Sequence, residues 1–145
     1  MDTIREQIIK QVMTVTAPLS TLPVERARRS INDTNNRFVS VWDGDDETIE
    51  QLYGEHTLEF PIAIECVWKA GKDNPSESAN ALMGTVISTL MALTSNSTFS
   101  QLTNSFKYVS SSPSYPVDGS GYTSLVVGFV INYTIIEGDP YNQPD

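Results

Sequence analysis

A chain of 145 residues is long enough for one domain with a real core, without disulfides or metal. Its single cysteine, Cys66, excludes an internal disulfide, and a net charge of −9 works against a nucleic-acid surface, since such surfaces neutralise phosphates with Lys and Arg. No apolar run approaches the roughly 20 residues of a membrane helix, and the polar start after Met1 has no signal segment, so a soluble, unsecreted protein is expected.

The first helix is expected near Asp2 or Thr3. Thr3 to Glu6 has the spacing of a capping box, in which hydroxyl and carboxylate satisfy free amides. Ile4, Ile8, Val12 and Val15 then recur at helical spacing, and Pro18 ends the run. Residues 19 to 36 read as a loop or extension, broken by Pro18 and Pro23, with Arg26, Arg28 and Arg29 clustered and turn chemistry from Asn32 to Asn36.

Phe38 to Trp42 reads as a strand closed by Asp43 and Gly44. Asp43 to Glu55 follows as an acidic segment, expected to be mobile in a free subunit because it has few apolar anchors. Thr57 to Lys69 alternates cleanly: Leu58, Phe60, Ile62, Ile64, Cys66 and Trp68 share one face. Pro61 inside that run predicts an edge position or a nearby bulge. Asn74, Pro75 and Glu77 announce a second helix, which Ala79, Leu82, Met83, Val86, Ile87, Leu90 and Leu93 continue until Ser95 to Ser97 stop it. A short strand over Ser105 to Ser110 and a long one over Tyr122 to Glu137 complete the set, with Gly119 to Gly121 as a flexible hairpin connection.

The expected fold is therefore α+β: a mostly antiparallel four-stranded sheet with two helices packed on one face, in the order α-β-β-α-β-β. The last strand is apolar on both faces. Leu125, Val127, Phe129, Ile131, Tyr133 and Ile135 alternate with Val126, Val130 and Ile136, and Gly128 permits close backbone approach. Helices cover one face, so the other is free to meet another copy. Trp42 and Trp68 are expected in the core.

The chain offers no reaction centre. His56, the only histidine, is expected in a charged loop before a strand, about 33 Å of extended chain from Cys66, too far to form a dyad. Cys66 on an apolar face behaves as a small hydrophobe. The acidic run from Asp43 lacks the glycine and terminal glutamate of a calcium loop. No catalytic, cofactor or metal residue is assigned. Arg26, Arg28 and Arg29 read either as a solvated loop edge or as a docking patch for the acidic segment of a neighbouring copy, carrying Asp43, Asp45, Asp46 and Glu47. Such a contact is head-to-tail and closes into a ring.

A strand ending Val41-Trp42-Asp43-Gly44 is followed by one containing Ile62 to Trp68. Then come a helix with Ala81-Leu82-Met83 and Leu90-Met91, a turn with Tyr115-Pro116, and a last strand reading Val130-Ile131-Asn132-Tyr133-Thr134 before Gly138-Asp139-Pro140-Tyr141. This order of features resembles the tail terminator (minor tail protein U-like) family of long-tailed bacteriophages. The resemblance spans nearly the whole chain, apart from residues 19 to 36 and a polar tail at 138 to 145. It implies one domain over 1–145 and a non-enzymatic virion protein, assembled in the host cytoplasm and placed in the tail near the neck. Its hexameric ring would cap the tail tube, end its elongation and offer the head-joining surface. The implied partners are further copies, the tube protein, a head-completion or neck protein, and DNA passing an acidic lumen without specific binding. Alternatives are a neck or tube protein of the same machinery, or a small ligand-binding domain or enzyme.

Overall fold

The computed structural model describes residues 1–27, 37–69, 74–116 and 121–145. The chain runs α1 (Ile4–Thr16), β1 (Glu25–Arg26), β2 (Phe38–Asp43), β3 (Glu47–Leu52), β4 (Glu55–Trp68), α2 (Pro75–Met91), α3 (Ser97–Leu102), β5 (Ser105–Ser114) and β6 (Thr123–Ile136). It is an α+β fold on one mostly antiparallel sheet. The sheet has six strands rather than the expected four, in the order β1-β2-β4-β6-β5, with β3 also paired to β4. Among the described residues, only β1 and β2 run parallel.

The extra elements lie where residue patterns are weakest. β1 has two residues, too few for a pattern to show. β3 occupies the acidic segment that read as a mobile loop, and all six of its residues are exposed, so no alternation marks it. The third helix begins where Ser95 to Ser97 promised only a stop. Asn96 is instead an N-cap, its side chain accepting from the Phe99 amide at 3.0 Å.

α1 begins as its sequence predicts, with the Thr3 hydroxyl accepting from the Glu6 amide at 3.1 Å. The capping box is only half made, because the Glu6 carboxylate turns to Arg26 instead. α2 starts at the expected Asn74 cap, which accepts from Ser76 and Glu77. No helix among the described residues is long and apolar enough to cross a membrane.

Side-chain alternation builds the core. Every odd residue of β6 from Thr123 to Ile135 is buried, and the even residues between them are partly open. Phe60, Ile62, Ile64, Cys66 and Trp68 of β4 join them in one cluster with Ile4, Ile8, Ile9 and Val12 of α1 and Ala79, Leu82, Val86 and Leu90 of α2. Phe99 of α3, Phe106 of β5 and Phe129 of β6 stack in sequence, with ring centroids 5.2 and 5.1 Å apart. Each such side chain contributes about 1.5–3 kcal/mol by leaving water. The helices therefore pack on one face of the sheet, as expected, though there are three.

Two positional expectations are corrected and a third resolves to one of its alternatives. β4 is central, not an edge, and the irregularity near Pro61 lies in its partner β3, between Thr48 and Glu50 opposite Leu58 and Thr57. The Pro61 carbonyl accepts from Gly44 at 2.9 Å, and its N–H-less nitrogen points toward the same flank, where β2 has ended and β3 has not begun. His56 lies in β4 rather than in a loop. Trp68 is buried, but Trp42 stands 37% exposed on the sheet face away from the helices. The turn at Asn32 to Asn36 and most of the Gly119 to Gly121 connection lie outside the described residues. The C-terminal tail is tied back: Pro140 accepts from the Ile4 amide, and the Gln143 side chain donates to the Leu102 carbonyl.

Candidate assembly surface

The open face of the sheet has a definite shape. Residues directly opposed across antiparallel strands share a face. Trp42 opposes Ala63, Ala63 opposes Gly128, and Gly128 opposes Ser110, so one row crosses β2, β4, β6 and β5. Three small residues beside one tryptophan leave a trough. It encloses about 350 Å³, with Pro61, Val109 and Val130 completing its apolar lining. A bulge in β5 between Tyr108 and Ser110 pushes Val109 out to 58% exposure. Gly128 is expected to permit close backbone approach; what a Cβ would meet here is a side chain of the same copy, the Ser110 hydroxyl at 3.2 Å.

Beyond the trough, β3, the first half of β4 and the end of β6 project as an arm. Its tip, Tyr53-Gly54, turns tightly with Gly54 at φ 83°, a conformation that suits glycine. The Gly54 carbonyl accepts from Glu137, whose carboxylate lies 3.9 Å from the His56 ring. Tyr53 is fully exposed, Leu52 is 56% exposed and Ile49 47%. These three side chains leave a large apolar area in water at the end of an otherwise acidic element.

Charge adds to burial at the arm's root, where Phe60 and Tyr133 belong to the core. The Arg5 guanidinium donates to Asp43 and to Asp46, each at 2.7 Å, and lies 4.2 Å over the Phe60 ring. Asp46 also accepts from the Tyr133 hydroxyl at 2.9 Å. Arg26 grips both oxygens of Glu6 and lies 3.9 Å from Asp43. Burial alone would lower the Arg5 pKa, but the hydrogen bonds and charges of Asp43 and Asp46 raise it above its ordinary value. Burial, reinforced by the Asp46 contact, pushes the Tyr133 phenol up. On the far side, a Cβ at Gly44 would collide with the Pro61 ring at 2.5 Å. The segment expected to be mobile is held from two directions.

Of the eight residues proposed for subunit contacts, Arg26, Asp43 and Asp46 meet within one chain. Their partners are Arg5, Glu6 and Tyr133 of the same copy. Arg28 and Arg29 lie outside the described residues. Asp45 and Glu47 are exposed, and Gly128 floors the trough. Sequence reasoning missed Arg5, since a charged residue on an amphipathic helix reads as solvated. It also missed the trough, because Ala63, Gly128 and Ser110 meet only through strand register. No family model matches the sequence, and no curated protein matches it.

Proposed function

We propose that this chain is a non-enzymatic structural protein of a phage tail, of the terminator type. Copies join head-to-tail into a ring that caps the tail tube, stops its elongation and presents a surface to a head-completion or neck protein. The observation that carries this reading is the unfinished sheet. Helices bury one face, while the other face keeps an apolar trough and two unlike edges stay unpaired among the described residues, β5 on one side and the short β1 with β3 on the other.

Unlike surfaces on opposite sides of a subunit favour a heterologous contact, and a heterologous contact that closes makes a ring. The resemblance to tail terminators supplies the expected six copies and the station near the neck of the virion. The charge of −9 agrees with a channel through which DNA passes without sticking. Two tests separate the parts of the proposal. Native mass spectrometry of the purified chain should give a closed oligomer. Phage lacking the gene should make overlong tails; absent tails would reassign the chain to the tube, and normal-length tails without heads to the neck.

A further inference from the structure

Resting on the ring reading above, we infer that the joint between neighbours is the arm tip of one copy, Leu52 and Tyr53, seated in the open-face trough of the next. Among the described residues, nothing covers either half. The tip presents exposed apolar side chains, and the trough is apolar, open and about 350 Å³, at the small end of volumes that hold a compact occupant.

A single chain cannot satisfy itself. β4 runs unbroken from Glu55 at the tip to Ala63 in the trough and onward to Trp68. Nine residues of strand hold Gly54 and Ala63 about 30 Å apart, so the occupant must come from another copy. The salt-bridged root keeps the arm in one pose, which lowers the ordering cost of docking it.

Charge supports the same partner. Glu47 opposes Glu59 and Glu50 opposes Thr57, which puts both acids on the open face of the arm. Lys107 opposes Val130 at the trough and makes no ion pair among the described residues. An arm laid across the trough would bring its acids to Lys107, offsetting part of the repulsion between two strongly acidic chains. The same joint repeated would close the ring.

The test uses two full-length variants. Leu52→Ser with Tyr53→Ser removes the tip and leaves the trough. Ala63→Phe fills the trough and leaves the tip. Leu52 and Tyr53 are exposed and Ala63 is half-buried on the open face, and circular dichroism checks that each variant is folded. Each alone should be a monomer at concentrations where the wild type is a ring, and an equal mixture should give heterodimers and nothing larger, because only one working joint remains. Rings from either folded variant, or a mixture that stays monomeric at high concentration, would overturn the joint while leaving the ring reading intact. A monomeric wild type would overturn the ring reading itself. As a finer check, Lys107→Glu should reduce the ring fraction severalfold, and Glu50→Lys in the same chain should restore it.

Discussion

The two halves of β4 lie on one strand yet are held by different physics. From Phe60 to Trp68 every second residue is buried under the helices, Glu65 and Val67 are buried on the opposite face as well, and position is fixed by packing. From Glu55 to Glu59 no residue is fully buried, and position is fixed by strand pairing and by the Arg5 network at the root. One region is stable because it excludes water. The other is ordered but leaves apolar groups in water.

That contrast predicts a graded set of responses. The largest belongs to the covered face: Phe129→Ala should cost about 3–5 kcal/mol in denaturant unfolding, because it removes the buried ring that Phe106 and Tyr108 both pack against. A loss below about 1 kcal/mol would mean that the helices do not pack there. Next comes the root. Arg5→Met strands Asp43 and Asp46 and should cost about 1.5–3 kcal/mol, the range for hydrogen bonds to charged groups. In hydrogen exchange, the same change should loosen β3 amides while α2 amides keep their protection.

The third response is to pH. Burial pushes the Cys66 thiol up from 9.0 to about 12. Its neutral form is therefore favoured by folding. That contribution is complete below pH 9 and is lost as pH rises toward 12, by up to about 1.4 kcal/mol per pH unit. Unfolding measured between pH 9 and 10 should lose this slope in Cys66→Ala; an unchanged slope would assign it elsewhere. Tyr133, also raised, acts in the same direction at higher pH. The smallest effect is at the arm tip. Tyr53→Ser should shift stability by no more than about 0.5 kcal/mol, as expected for an exposed residue, while it disturbs assembly. A large loss of stability there would erase the distinction between the two regions.

The covered face was legible in the residues because burial imposes a period. β6 was expected from Tyr122 to Glu137 and runs Thr123–Ile136; the caps at Thr3 and Asn74 were placed correctly. The arm was not legible. Glu47 to Leu52 forms a strand through backbone pairing to β4, and backbone pairing leaves no mark on side chains that all face water. Arg26 reads from the sequence either as a solvated loop edge or as a docking group for a neighbour's carboxylates, and its partner within the chain, Glu6, lies twenty residues back on α1, a proximity that only the tertiary fold creates. Gly128 stands out in the sequence as the one glycine of an apolar strand, but its trough forms only when strand register brings Ala63 and Ser110 beside it.

The central claim is that the open half of this molecule is covered by further copies of itself. The most direct measurement is the native mass of the unmodified chain in solution. The account predicts a single closed species, expected at six times the 16.0 kDa chain, that persists on dilution and falls apart when Leu52 and Tyr53 are replaced by serine. A folded wild-type chain that remains at 16.0 kDa at every concentration would contradict it.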